Sequence, residues 1–320
     1  MKKIIFSLFL LLCSKSYGIA QQPDTALIFH YFTLIEDHSR DSVEFKIIAK
    51  LCLNRKANIK WLKKYCKSNN MDEHKFNNGA MLLQDLSFAS SGASRADRIE
   101  IVNFLTLYLL QIEGGVDDHI AGLLALLPDD AFSKRAKKRI VAAINHDLKH
   151  AEQYEYLAKR MKLKKAVPGL KKLWKSFVAE ENRTLFAWTT AYALVRLDDE
   201  EAWVYLQDSI QRGLNSKVIF LYNDVCNGLA SMLHKKALEV LIKELYKYEP
   251  LYHLYMNKGV MALKSEVAAN EIIHMIAGLP KEIIEGKGYY KVDEYEIVEK
   301  LRLWLQQHPM DKIKVKDRFH

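Results

Sequence analysis

The chain has 320 residues and a formal net charge of +9 at pH 7, with 49% hydrophobic and 27% charged residues. This length is ample for one elongated domain or two compact domains with a sizeable hydrophobic core. After the N-terminal region, no segment approaches the roughly 20 apolar residues of a membrane-spanning helix, which excludes further spans.

Residues 1–20 have the pattern of a secretory signal peptide. A positively charged start precedes an apolar run over residues 4–12, and small residues precede a predicted cut after Ala20. A transmembrane anchor would need a longer run. A lipoprotein signal with Cys13 as the lipidated residue is less favoured, because Leu12 stands where such signals have a small residue. We therefore expect an exported protein, either periplasmic or secreted.

Apolar residues with a period near 3.6 dominate the chain, whereas alternating strand patterns of useful length are not found. This pattern predicts an all-α protein. Residues 21–113 are predicted to form an irregular N-terminal helical bundle, and Gly114 and Gly115 mark its boundary. The helices predicted in the bundle are Thr25–Asp37, Asp41–Leu53, Ala57–Lys67, Asp72–Leu86 and Ala96–Ile112.

Three cysteines, Cys52, Cys66 and Cys226, remain after the predicted cleavage. If the two helices that carry Cys52 and Cys66 fold back on each other, these residues lie roughly 12 Å apart along the helix axis. That distance exceeds the ~7 Å between Cα atoms that a disulfide spans. We therefore expect three thiols, with a Cys52–Cys66 bridge as the alternative that an exported compartment permits.

Residues 114–310 are predicted to form helical repeats, followed by a basic C-terminal tail over residues 311–320. Similar apolar patterns begin at Ala166, Ala202 and Ala237, at offsets of 36 and 35 residues. A repeat of this size at helical spacing is typical of stacked helix pairs. The predicted helices are Asp118–Leu127, Asp130–Asp147, Glu152–Met161, Ala166–Val178, Arg183–Leu197, Glu200–Arg212, Ser216–Leu233 and Lys235–Tyr248.

The helix predicted at Arg183–Leu197 is apolar on nearly all sides, which predicts burial between neighbours on both flanks. Together with Ala166–Leu170 before it and Asp199–Ala202 after it, this helix resembles HEAT and HEAT-like repeats. The resemblance is strongest over residues 151–248. It implies an α-solenoid of antiparallel helix pairs, with the second helix of each pair on a concave face. Residues 281–290 depart from the repeat pattern, because they are predicted to form a long loop. An irregular helical bundle is the alternative to the solenoid fold.

Positive charge is concentrated between Lys134 and Lys175, a stretch that contains 14 Lys and Arg residues and only three acidic residues. A surface of one sign raises the local concentration of anionic partners. Those partners would be phospholipid or lipopolysaccharide head groups, acidic glycans or an acidic protein face. Export argues against nucleic acid, because it removes the chain from the genome. An ordinary solvated surface is the simpler interpretation. The candidate binding residues are Lys134, Arg135, Lys138, Lys171, Lys172 and Lys175.

His146 and His150 share one helix face at i and i+4, a spacing that lets both imidazoles reach one metal ion. The segment resembles the zinc-peptidase motif H-E-x-x-H, with Asp147 in place of the general-base glutamate. The shorter side chain would lie farther from a metal-bound water, and no third ligand follows. A metal-dependent hydrolase is therefore an alternative function, while two solvent-exposed histidines are the simpler interpretation.

No phosphate-binding loop, nucleophile elbow or paired-cysteine metal motif is found, and we expect no cofactor. Tyr289 and Tyr290, beside Gly288 in the predicted long loop, are candidate contact residues, because loops carry function on rigid scaffolds. Taken together, the repeat and the signal peptide predict an exported, non-enzymatic scaffold that binds a protein partner in the cell envelope.

The signal-peptide prediction is tested by intact-mass measurement of the protein recovered from outside the cytoplasm. We expect a chain that begins at Gln21, because the small residues before it suit signal peptidase. A chain that begins at Cys13 with an added lipid mass would instead establish the lipoprotein alternative, and an uncleaved chain would contradict both.

Overall fold

A computed structural model describes residues 22–36, 42–69, 72–88, 92–109, 116–146, 152–180, 184–253, 260–284 and 294–316. The described residues are mostly helical, which confirms the predicted all-α class. The chain divides into two compact units, Met1–Ala143 and Ile144–His320, and each is described by itself. The predicted signal peptide lies outside the described residues, and the predicted boundary at residues 113/114 stays a prediction.

In the first unit, the central helix α4 contacts each of α1, α2, α3, α5 and α6. Its buried residues Phe76, Ala80 and Leu83 recur at helical spacing and supply the middle of the core. Helix α7 begins in this unit and ends in the second. The helices are α1 Thr25–Glu36, α2 Ser42–Leu53, α3 Arg55–Ser68, α4 Glu73–Ser87, α5 Arg95–Leu105, α6 Val116–Ala125 and α7 Lys134–Asn145.

Side chains that accept hydrogen bonds from free backbone N–H groups determine where several helices begin. Asp72 accepts from Lys75 N at 3.0 Å before α4. Ser94 and Asp97 form a reciprocal capping box at α5, which begins at Arg95, one residue before its predicted start. The helix predicted to begin at Asp130 begins at Lys134, because the Ser133 hydroxyl accepts from Ala136 N at 3.1 Å.

Cys52, Cys66 and Cys226 are free thiols, in agreement with the favoured prediction. Cys66 is fully buried on α3, and burial raises the pKa of its thiol to about 12. A thiol with so high a pKa stays protonated and behaves as a small apolar side chain.

In the second unit, alternate helices pack side by side. Helices α8, α10, α12, α14 and α16 contact one another in that order, while α9, α11 and α13 pack against them. This order follows from the short connections between consecutive helices. The helices are α8 Glu152–Arg160, α9 Val167–Ala179, α10 Thr184–Arg196, α11 Glu200–Leu214, α12 Ile219–Met232, α13 Lys235–Leu245, α14 Lys264–Met275, α15 Lys281–Ile284 and α16 Glu294–Gln307.

The turns after α8, α10 and α12 share one backbone feature. Lys162, Asp198 and Leu233 have positive φ angles of 50°, 69° and 41°, and they lie 36 and 35 residues apart. In the first two turns the following N–H donates to the carbonyl five residues earlier, Leu163 to Ala158 and Asp199 to Leu194. This is the Schellman motif, which satisfies the last carbonyls of a helix. The offsets match those of the apolar sequence repeat.

A short hairpin between α13 and α14 departs from the predicted all-helical pattern. Strand β1 (Pro250–Tyr252) pairs antiparallel with β2 (Val260–Leu263), with Leu251 opposite Ala262. The strands have three and four residues, too few for an alternating pattern to be visible in the sequence. The first residues of the predicted basic tail also add an extended segment, since Ala277 N donates to Lys314 O at 2.9 Å.

The helix predicted at Arg183–Leu197 has a neighbour on each flank, α8 and α12, as predicted, but its beginning is not covered. Ala187, Ala191 and Leu194 are fully buried in α10, but Leu185 is 70% exposed. The neighbours of α10 cover its middle and end and leave its first turn at the surface.

Arg196, at the end of α10, connects three helices of this layer. Its Nε donates to Lys159 O at 2.7 Å in α8, and its Nη1 donates to Met232 O at 3.3 Å in α12. Both acceptors lie at helix C-terminal ends, where carbonyls lack partners within their own helix. Arg196 is 4% exposed, so its hydrogen bonds are made in a region shielded from water.

Replacing Arg196 by methionine should destabilise the protein by about 2–4 kcal/mol, because two buried carbonyls would lose a charged donor. Urea unfolding, followed by circular dichroism, measures the change. The matched control is Arg212→Met, because Arg212 is exposed and donates to Ser209 within its own helix. We expect the control to change stability by no more than about 0.5 kcal/mol. Equal stability losses in both variants would contradict the role of Arg196.

Candidate functional site

The predicted basic residues of the first unit lie on the exposed side of α7. Lys134, Arg135 and Lys138 are exposed, and none forms an ion pair with a carboxylate among the described residues. Lys134 and Arg135 stand in the first helical turn, where the helix dipole disfavours positive charge. These three side chains therefore have no compensating acid in the described structure.

The predicted basic residues of the second unit lie on α9, where Lys171 and Lys175 form ion pairs. Lys171 Nζ lies 2.9 Å from both Asp199 and Glu201, and Lys175 Nζ lies 3.3 Å from Glu201. These hydrogen bonds from Lys171 and Lys175 lower the pKa of Glu201. Lys172 is exposed. The acids that compensate this group lie beyond residue 175, outside the stretch over which the sequence shows its excess of charge.

Three of the predicted site residues, His150, Tyr289 and Tyr290, lie outside the described residues. His146 is exposed just after the end of α7. The metal-site and loop-contact hypotheses therefore stay predictions. Among the residues that the structure describes, no group of three His, Cys, Asp or Glu side chains is placed to hold a metal ion.

The turns between helices carry a connected row of charged and polar side chains, Lys164, Asp198 and His234, which we call the turn row. Lys164 Nζ lies 2.6 Å from Asp198 Oδ2, and His234 Nε2 lies 3.5 Å from Asp198 Oδ1. The hydrogen bond from Lys164 lowers the pKa of Asp198. The three residues come from the turns after α8, α10 and α12, so the row links these turns through surface contacts.

His234 also caps helix α13. Its Nδ1 accepts a hydrogen bond from Lys236 N at 3.2 Å, so this nitrogen carries no proton, while Nε2 faces Asp198. Burial lowers the pKa of the imidazole, and the neighbouring Asp198 carboxylate opposes that shift. The neutral Nε2–H form satisfies both contacts at once.

Two exposed leucines occupy equivalent positions at the starts of α10 and α12. Leu185 is 70% exposed and Leu221 is 56% exposed, and they lie 36 residues apart. Two contacts show the same offset between these helices: Arg196 with Met232 O, and the Tyr192 ring against Gly228. A constant offset means that the helices run parallel, so the two leucines lie at the same end of the layer. We call Leu185, Phe220 and Leu221 the apolar row.

Gly228 is required where Tyr192 crosses α12. A Cβ atom at this position would lie 2.6 Å from the Tyr192 hydroxyl oxygen. The close approach holds α10 against α12 and keeps the starts of both helices in register. Phe220 of the apolar row is 54% exposed and contacts the His253 ring edge-on, with 5.0 Å between centroids.

Charged residues buried between α12, α13 and α14 were missed by the sequence reasoning. Lys264 Nζ donates to Leu214 O at 2.7 Å and to Glu249 at 2.8 Å. The Tyr222 hydroxyl donates to Glu244 at 3.1 Å, and burial raises the pKa of the Tyr222 phenol. Glu244 follows Leu241 at helical spacing on the buried side of α13, so it continues the core stripe. An acidic residue in line with the core stripe of α13 is the feature of the sequence that indicates this buried charge.

Comparison with protein-family models, with curated proteins and with solved structures gives no match for this chain. Within the described ranges, no helix is both long and apolar enough to cross a membrane.

The pH dependence of stability should reveal the His234 cap. The folded-state pKa of His234 lies below its unfolded value, so the unfolded chain binds the proton more readily. The contribution of His234 to the free energy of unfolding is therefore fully present above the ordinary histidine pKa of about 6.5, and it decreases as the pH falls below that value. Protonation of Nδ1 removes the cap, at a cost of about 1 kcal/mol.

Urea unfolding at pH 7 and pH 5 tests this expectation in wild type and in His234→Asn. Asparagine is a good N-cap whose side chain does not titrate, so we expect the variant to lose about 1 kcal/mol less than wild type on acidification. The same loss in both proteins would show that His234 does not titrate as a cap. Asp198 and the other carboxylates with lowered pKa values lose their contribution only at lower pH.

Proposed function

We propose that this protein is an exported, non-enzymatic scaffold, an α-solenoid with HEAT-like helix pairs that binds a protein partner of the cell envelope. The observation that carries the proposal is the recurrence of one turn geometry at Lys162, Asp198 and Leu233. A turn repeated every 35 or 36 residues, with alternate helices in contact, is what stacked helix pairs require. Such stacks present an extended surface suited to binding other macromolecules.

The apolar row is the surface of the second unit that best fits a protein partner. Large apolar side chains that stay at the surface of a soluble domain mark interaction sites when they form a contiguous patch. Here the packing of Tyr192 against Gly228 holds Leu185 and Leu221 at the same end of neighbouring helices. A partner would bury these side chains without rearranging the helices that present them.

The turn row supports the same proposal, because it recurs with the repeat. Lys164, Asp198 and His234 link the turns after α8, α10 and α12 through contacts of 2.6 and 3.5 Å. Contacts between each turn and the equivalent turn of the next repeat are expected of stacked helix pairs.

The test combines partner capture with a directed loss of affinity. The tagged protein is incubated with a cell-envelope extract at low and at physiological salt, and a protein retained at both is purified. Its dissociation constant is then measured for wild type and for Leu185→Ser/Leu221→Ser. We expect the double substitution to weaken binding by about 10-fold or more, because exposed leucines at an interface lose their buried contacts.

The matched control is Val204→Ser, because Val204 is 58% exposed on α11, in the other set of helices. We expect this variant to bind as wild type does. Capture only of lipid or glycan, or of a partner whose affinity is the same for all three proteins, would contradict a scaffold that acts through the apolar row.

A further inference from the structure

Helix α2 of the first unit exposes large apolar side chains on one side. Phe45 is 75% exposed and Leu53 is 77% exposed, the highest values among the large hydrophobic residues that the structure describes. With the exposed Ala49 they follow at i, i+4 and i+8, so they line one side of the helix. The opposite side packs in the core through Ile47 and Leu51.

Lysines flank this apolar strip. Lys46 and Lys50 are exposed directly beside it, and neither forms an ion pair with a described carboxylate. Glu44 is the sole acid of the helix sequence, and it is buried at 9% exposure rather than placed beside the lysines. We call Phe45, Lys46, Ala49, Lys50 and Leu53 the α2 face.

The next helix strengthens the positive charge of this helix pair. From residue 42 to residue 69 the chain has eight Lys and Arg residues and one acidic residue. Like charges spaced four residues apart on a helix repel one another, so this row does not serve the stability of α3. The exposed lysines of the α3 row are Lys56, Lys60, Lys64 and Lys67.

The residues of the α2 face indicate which kind of partner binds it: a protein, a soluble anionic polymer or a lipid bilayer. Interfaces between proteins are depleted in lysine at their centres, which disfavours a protein partner here. A soluble anionic polymer would use the lysines but would leave the aliphatic Leu53 without a role. A bilayer surface uses both, because lysines attract anionic head groups and apolar side chains enter the boundary between head groups and acyl chains.

We propose that the α2 face is a peripheral membrane-binding surface that recognises bilayers containing anionic lipids. Phe45 and Leu53 insert at the level of the head groups, and Lys46 and Lys50 pair with lipid phosphates. The lysine row of α3 adds longer-range attraction, which acts over about 8–10 Å at physiological salt. This proposal rests on the first unit and does not depend on the proposed scaffold function.

Sedimentation of the full chain with lipid vesicles tests the proposal. One set of vesicles contains phosphatidylcholine and phosphatidylglycerol in equal amounts, and the other contains phosphatidylcholine alone. We expect wild type to bind the anionic vesicles and to bind the neutral ones at least about 10-fold more weakly. Phe45→Ser/Leu53→Ser and Lys46→Ser/Lys50→Ser should each weaken binding to anionic vesicles by about 10-fold.

Leu126→Ser is the matched control, because Leu126 is 64% exposed in the same unit but lies outside the α2 face. We expect it to bind as wild type does. All variants are compared in the same processed form that begins at Gln21, and binding that survives every substitution would overturn the proposal. Circular dichroism checks the fold, and the single variant Phe45→Ser serves if the double variant does not fold.

Two further outcomes would overturn the proposal. Equal binding to neutral and anionic vesicles would show that lipid charge is not recognised. Binding to heparin that depends on Lys46 and Lys50 but is unchanged by Phe45→Ser/Leu53→Ser, together with weak vesicle binding, would assign the α2 face to a soluble polymer.

Discussion

Buried cations that donate to the C-terminal carbonyls of neighbouring helices hold the second unit together. Arg196 donates to the ends of α8 and α12, Lys264 to Leu214 O at the end of α11, and Arg302 to Leu245 O at the end of α13. Helix ends leave carbonyls without partners, and the helix dipole favours positive charge there. One side chain therefore satisfies a helix end and fixes a neighbouring helix against it.

These hydrogen bonds constrain the position of one helix along its neighbour more strongly than apolar packing does. A leucine core tolerates small shifts of one helix along another, whereas a buried guanidinium loses its acceptors if the helix moves by one turn. The offset of 36 residues that Arg196 sets against Met232 recurs where Tyr192 meets Gly228. The same offset of 36 residues separates Leu185 of α10 from Leu221 of α12. Contacts in the interior therefore place these two exposed leucines at the same end of their helices.

The sequence predicts the helices of this protein well because their core stripes have a clear period, and the offsets at Ala166, Ala202 and Ala237 reappear in the turns. It does not predict the hairpin, whose strands are too short to show alternation. Nor does it identify the α2 face. Helix α2 has apolar residues around most of its circumference, so periodicity predicts a helix without indicating which side its neighbours leave uncovered.

Pairing, rather than the number of charges along the sequence, determines which basic region can attract an anionic partner. The stretch from Lys134 to Lys175 is the most basic by count, yet its Lys164, Lys171 and Lys175 contact acids at residues 198–201. Those acids lie about one repeat later and are invisible to a local count. In residues 42–69, Lys63 pairs with Glu100, while the lysines of the α2 face have no described acid beside them. Because paired charges produce a weaker external field, the part of this stretch on α9 is a poorer site for an anionic membrane than the α2 face, where exposed apolar side chains also stand beside the lysines.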